Sequence, residues 1–234
     1  MASYLSICNQ TRLECGVTAS DLTTLAGVTG KNKQIAQWVS RAWMDVQRKH
    51  TNWKWMRSSF SFATVNAQQD YTPAQCGATD FSEWITSESS WAANTMRSRV
   101  TSIGYTTELW LGEWLWDDFR NLYTFGAQRT VKGRPVVYAV KPDMSLALGP
   151  LPDATSYTII GDYQKAATAL VNDTDIPGLP EQFTDIIMHR AKMMYGQEES
   201  AGEVYNAGLA DYKRILAELE DNQLPDVNYG GSLL

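Results

Sequence analysis

Apolar residues step by three and four in several stretches of the chain, and by two in others. Over Ser3–Cys15, Leu5, Cys8 and Leu13 give partial helical spacing, with Ser3 placed to cap the start and Gly16 to stop the end. The Thr-, Gly- and Ser-rich run from Val17 to Lys33 reads as loop. Over Asn32–Lys49, Ile35, Trp38, Val39, Ala42 and Val46 line one face of a helix, with Arg41, Gln47 and Arg48 elsewhere. Trp53, Trp55 and Met56 follow, where the helix hands over to a strand.

From Arg57 to about Val171 the period shortens. Phe60, Phe62 and Val65 predict one strand, and Val100, Ile103 and Tyr105 predict another over Ser98–Tyr105. Glu113–Tyr123 has helical spacing through Trp114, Leu115, Asp118, Phe119, Leu122 and Tyr123. Strands are then predicted at Val136–Val140, Ser145–Leu148 and Thr155–Tyr163, punctuated by Gly133-Arg134-Pro135, Lys141-Pro142-Asp143 and Gly149–Asp153, which suggests a meander.

Helical texture returns after Asn172. Leu179-Pro180-Glu181 opens a helix with Phe183, Ile186, Ile187, Ala191 and Met194 on its buried stripe. Over Gly202–Asp221, Tyr205, Leu209, Tyr212, Leu216 and Leu219 form a heptad-like seam that Ile215 widens. A turn at Gly196–Ala201 makes these two helices a hairpin. The last stretch, Asn222–Leu234, holds Pro225, Gly230 and Gly231 and is read as an extended tail, with Leu224, Val227, Tyr229, Leu233 and Leu234 available to a partner.

Neither the first nor the last helices bury their stripes alone, so the two ends must close on each other. The expected fold is α+β: a helical bundle formed by N- and C-terminal helices with an inserted antiparallel strand-rich domain. The expected division is 1–56 plus 172–221 for the helical domain, 57–171 for the insert and 222–234 for the tail.

Length and composition narrow the class. The chain has 234 residues, enough for one or two domains with a sizeable core, and its composition is that of an ordinary globular protein. Twenty basic residues stand against 26 acidic ones, net -6, so the basic surplus that grips nucleic acid is missing. No apolar run is long enough to span a membrane, and Met1–Gln10 lacks a signal-peptide pattern, so the expected setting is a cytoplasm or something assembled there. Cys8, Cys15 and Cys76 are an odd number; Cys8 and Cys15 fall on one helix face two turns apart, as small buried residues do.

Candidate chemistry is sparse. His50 and His189 lack nearby ligand partners, and no phosphate-cradling glycine loop is present. Glu108, Glu113, Asp117 and Asp118 lie among Trp110, Trp114 and Trp116; such a set suits glycan cleavage, or simply the wet face of a short helix. Arg41, Arg48, Lys49, Lys54 and Arg57 surround Trp53 and Trp55, a pattern that binds single strands but also serves a helix C-terminus. No catalytic residue, metal ligand or cofactor is assigned. Nine tryptophans are the unusual feature, and tryptophan is enriched at interfaces as well as in cores.

An ordered series of short motifs runs through the second half. It comprises Gly133-Arg-Pro-Val-Val-Tyr-Ala-Val140, Met144-Ser-Leu-Ala-Leu148, Gly149-Pro-Leu-Pro-Asp153, Tyr157-Thr-Ile-Ile-Gly-Asp-Tyr163, Asp175-Ile-Pro-Gly-Leu-Pro-Glu181 and Tyr212-Lys-Arg-Ile-Leu-Ala-Glu-Leu219. With Leu5–Gly16, Gln34–Trp43 and Trp53–Phe60 in the first part, the chain resembles the head–tail connector, or adaptor, proteins of tailed bacteriophages.

The resemblance implies a structural virion protein in the neck region, not an enzyme. It implies a ring, commonly of about twelve copies, docked beneath the portal and continuing the DNA channel. Implied partners are further copies of the chain, the portal protein, a downstream tail or neck protein, and genomic DNA passing through the lumen without sequence-specific binding; no membrane is involved. The helical part would form the ring wall. Leu224, Pro225, Val227, Tyr229, Leu233 and Leu234 are then candidate portal contacts, and Trp84, Trp91, Trp110, Trp114 and Trp116 candidate ring or tail contacts. The alternative reading is a glycan-binding or glycan-cleaving tail component built on Trp110, Trp114 and the neighbouring carboxylates. A scaffold for a host-side complex is a further class without a positive feature.

Overall fold

The computed structural model describes residues 2–17, 20–86 and 94–225. In chain order its main elements are α1 (Tyr4–Glu14), α2 (Gly30–Arg48), β1 (Arg57–Ala63), β2 (Asp70–Tyr71), β3 (Phe81–Trp84), β4 (Arg97–Val100), β5 (Leu109–Trp110), β6 (Gly112–Glu113), α3 (Trp116–Phe119), β7 (Lys132–Gly133), β8 (Val137–Val140), β9 (Leu146–Gly149), β10 (Leu151–Pro152), β11 (Tyr157–Lys165), α4 (Asp185–Glu198) and α5 (Gly202–Gln223). The protein is α+β, and the chain divides into two compact units, 1–56 with 167–234, and 57–166.

In the helical unit, Ser3 caps α1 by accepting from the Ser6 amide (3.3 Å), and Gly16 turns the chain out at φ +70. The Tyr4 and Leu5 amides donate to the Asp175 and Asp173 carbonyls (2.8 and 3.2 Å), so segment 173–175 completes the start of α1. Ile35, Val39, Ala42 and Val46 of α2 are fully buried with Ile186, Ile187 and Ala191 of α4 and Leu219 of α5. Gly196 and Gly208 set the α4–α5 spacing: a Cβ on Gly196 would stand 2.7 Å from the Tyr205 amide nitrogen, and one on Gly208 3.1 Å from the His189 carbonyl. Residues 167–171, expected at the end of the insert, belong here. The buried Gln47 amide clasps Thr168, donating to its carbonyl (2.8 Å) and accepting from its N–H (3.0 Å), and Ser40 Oγ donates to the Leu170 carbonyl (2.9 Å).

α5 runs on to Gln223, two residues beyond the expected end, and Leu224 packs half-buried against the helical core. Asn222 and Gln223 are therefore helix, not tail.

The strand-rich unit holds two larger sheets. In the first, nine-residue β11 pairs antiparallel with β1 on one side and with β3 and β4 on the other, and β5 follows β4. The second has the order β2-β9-β8-β6, with β6 parallel to β8. One apolar cluster joins them: Phe60, Phe62, Trp84, Ile159 and Tyr163 from the first sheet meet Tyr71, Tyr138, Leu146 and Leu148 from the second. The expected meander holds for β8 and β9 but not for β11, which joins the other sheet. Ser98–Tyr105 is not one strand, because Gly104 at φ +89 turns the chain and Ile103 and Tyr105 are exposed. The helix expected from Glu113 begins only at Trp116, because Glu113 pairs with β8; α3 then passes into a π turn over 120–124.

Candidate interaction surface

Alternation along four strands builds one open face. Register places Ser59 and Ser61 of β1, Ile160 and Asp162 of β11, Arg97 and Arg99 of β4 and Trp110 of β5 on the same side, opposite the buried Phe60, Phe62 and Ser98. This face forms an open groove of about 540 Å3. Its arginines lie flat on aromatic rings. The Arg97 guanidinium is 3.9 Å from the Trp110 ring centre and donates to Glu108 (2.6 Å), and that of Arg99 is 4.3 Å from the Tyr105 centre. At the β1 end, Arg57 donates to Asp162 (2.5 Å). Behind them Arg134 donates to the carbonyls of Ser98 (2.6 Å) and Thr107, tying the 104–108 turn to β4.

Large apolar side chains reach solvent along 103–136: Ile103, Tyr105, Leu109, Trp110, Leu115, Phe125, Val131 and Val136. Of these, Tyr105 and Trp110 line the groove together, and exposed aromatic side chains that lie side by side are a usual mark of a protein interface.

The expected tryptophans are spread over different environments. Trp84 is 2% exposed, packed on Phe60 and Phe81 with Nε1 donating to the Met144 carbonyl (2.8 Å). It is a core residue and offers a partner no surface. Trp110 is 58% exposed, and Trp114, 37% exposed, leans on Tyr123 at 5.9 Å between ring centres. Trp116 is half-buried, packed on Phe119 with Lys141 Nζ 5.5 Å from its ring centre. Trp91 lies outside the described residues, as do Val227, Tyr229, Leu233 and Leu234; Leu224 and Pro225 are half-buried.

The other chemical candidates are placed individually. Glu108 is held by Arg97, Glu113 is on β6, Asp117 stands 3.4 Å from Arg120, and Asp118 is exposed; this placement adds no support to the glycan-cleaving reading. In the basic cluster Trp53 is a buried core ring that donates to the Val46 carbonyl (3.1 Å), and half-buried Trp55 stacks on it at 4.3 Å between ring centres. Burial pushes the thiols of Cys8 and Cys76 up to about 12 and that of Cys15 up to about 11, which keeps all three protonated and unreactive at neutral pH. His50 Nε2 lies 2.7 Å from Glu220, and desolvation on α4 holds His189 below its ordinary pKa.

A family model described as SU10 adaptor protein matches residues 2–231. The chain belongs to the SU10 adaptor protein family, a family of phage head–tail adaptors. Comparison with curated proteins gives no match. Membership makes this adaptor a virion component, and no described helix is long and apolar enough to cross a membrane. Adaptors of this kind are structural proteins, typically without enzymatic activity. The sequence reading of this adaptor missed Arg97, Arg99, Tyr105 and Leu109. The available signal was the alternation in Arg97-Ser98-Arg99, which puts two long cations on the face opposite a buried serine.

Proposed function

We propose that this adaptor assembles as a ring of about twelve copies beneath the portal, joins capsid to tail and continues the DNA channel. What supports the reading is the family match over residues 2–231, together with exposed aromatic side chains such as Tyr105 and Trp110. The work is surface fitting. Head-to-tail contacts between identical neighbours close a ring without chemistry, and Trp110 and Trp114 are the type of residue on which such contacts concentrate their energy. The helical unit would form the ring wall. The net charge of -6 suits a channel through which DNA slides without adhering. Leu224, Pro225 and the residues after them would reach the portal, and the strand-rich unit a neighbouring copy or the next neck protein.

The test is assembly. Purified adaptor mixed with portal particles should give a single ring on the portal by mass photometry and electron microscopy. Failure to bind portal, or absence of the chain from finished virus particles, overturns the proposal.

A further inference from the structure

Two helices of the helical unit carry the same spacing of charge with opposite sign. On α2, Lys33, Arg41 and Arg48 are eight and seven residues apart. Helical geometry gathers them within about 80° of arc, on the side away from the buried Ile35, Val39, Ala42 and Val46, with exposed Gln37 among them. On α5, Glu203, Asp211 and Glu218 are also eight and seven residues apart, on the side away from the buried Leu216 and Leu219. Exposed Ala207, Ala210 and Ala217 lie beside them. Each stripe covers about 22 Å of helix.

The flanking residues leave both signs in place. Beside the α2 stripe, Arg190 of α4 holds Asp45 (2.7 Å), and Glu198 of α4 shares a shallow pocket with Arg41, so four cations stand against two anions. On the other flank Ser40 and Gln47 bind Leu170 and Thr168, in a stretch, 166–172, without a charged residue. Lys33, Arg41 and Arg48 are exposed and make no ion pair among the described residues. The outer face of α5 has Glu203, Asp211, Glu218 and Asp221 against Lys213 and Arg214, four anions to two cations; Arg214 rests on Asp211 (3.7 Å) and Glu218 (3.3 Å) of its own helix.

The two helices also run the same way. Lys31, at the start of α2, pairs with Glu199 just before α5, and His50, just after α2, lies 2.7 Å from Glu220 near the end of α5. A copy rotated about an axis along the helices keeps that direction. Its α5 then lies parallel to α2, and the equal spacings fall in register, Lys33 with Glu203, Arg41 with Asp211 and Arg48 with Glu218. We propose that the α2 face of one copy docks on the α5 face of the next. The short alanines leave room for the arginine stems, and Asp211 and Glu218 have lone pairs enough to accept from a second arginine. Pairing α2 with α2, or α5 with α5, brings like charges together. The contact is therefore head-to-tail, the kind that closes a ring. A nucleic acid would answer the cationic face and leave the anionic one unexplained. The inference assigns surfaces within the ring reading and rests on that reading for closure into a ring.

The test follows self-association of the full chain by sedimentation, without portal. Exposed ion pairs are weak and screened by salt, so the unaltered chain should associate at low salt and less at high salt. Arg41→Glu with Arg48→Glu makes both faces negative, and Glu203→Lys with Glu218→Lys makes both positive. All four positions are exposed. Each double variant alone should associate at least about tenfold more weakly. A mixture of the two should recover association, because every face again meets its opposite. No association of the unaltered chain, reversed variants that associate as well as it does, or a mixture that stays apart overturns the proposal. Arg41→Gln with Arg48→Gln, which adds no new charge, decides if a reversed variant does not fold. Unchanged self-association of Arg41→Glu with Arg48→Glu, with loss of binding to a DNA duplex, makes the occupant a nucleic acid and also overturns it. Ring formation on the portal is read separately: rings that the reversed variants still form there keep the ring and discard these faces.

Discussion

Arg97 holds its guanidinium 3.9 Å from the centre of the Trp110 ring, although that ring is 58% exposed. The stack fixes a large apolar surface in one orientation before any partner arrives, which lowers the ordering cost of binding. An exposed stack of this type contributes only ~0.5–1 kcal/mol to the fold itself. Trp110→Ala should therefore lower the melting temperature by no more than about 2–4 °C, while weakening adaptor–adaptor or adaptor–neck association by about tenfold or more. Thermal unfolding and mass photometry on the same preparation separate the two effects. A variant that assembles normally would remove Trp110 from the interface.

The closeness of α4 and α5 rests on glycine. A methyl group on Gly196 would sit 2.7 Å from the Tyr205 nitrogen and 2.9 Å from its Cα, and backbone does not move aside cheaply. Gly196→Ala should destabilise the helical unit by ~1–3 kcal/mol, despite alanine's higher helix propensity. Denaturant unfolding gives the value; unchanged or increased stability would mean that the hairpin has slack there.

Much of the helical unit was legible because its signals are local. Ser3 and Gly16 bracket α1, and the stripe Ile35, Val39, Ala42, Val46 is the buried face of α2. The strand-rich unit was less so, for a physical reason. Val100, Ile103 and Tyr105 are residue types that favour strands, yet Gly104 at positive φ breaks the run, and two of the three are exposed. Glu113 has the spacing of a helix, but β8 supplies a pairing partner from further along the chain that no local pattern announces. Among the tryptophans, spacing did not separate Trp84, which β3 turns into the core, from Trp110, which β5 turns outward.

His189 predicts a pH dependence. Its side chain lies within the α4–α5 region, where Nδ1 has no hydrogen-bond partner and Asp211 of α5 is 3.8 Å away; Lys192 and Asp185 of α4 and Glu14 of α1 also act on it. Desolvation lowers its pKa below the ordinary 6.5, outweighing the carboxylates. The unfolded chain thus takes up this proton first. The contribution is complete above about pH 6.5 and is lost as pH falls from there through the lower, folded value. Melting temperature should fall on acidification across this window, and His189→Gln should flatten the slope. An equally steep profile in the variant would assign the effect to other groups.

Truncation tests the proposed C-terminal portal contact. α5 ends at Gln223 and Leu224 still packs on the helical core, so the cut belongs after Pro225 rather than at residue 222. Removing residues 226–234 takes away Val227, Tyr229, Leu233 and Leu234 and leaves the buried Ile215, Leu216 and Leu219 untouched. The shortened chain should melt within about 2 °C of the full one and bind portal particles at least about tenfold more weakly. A cut at 222 would instead remove Leu224 and the end of α5, lowering stability and binding together. Comparing the two truncations by thermal unfolding and portal co-sedimentation therefore isolates the contact from the fold, and full portal binding by the 1–225 chain would move the contact elsewhere on the protein.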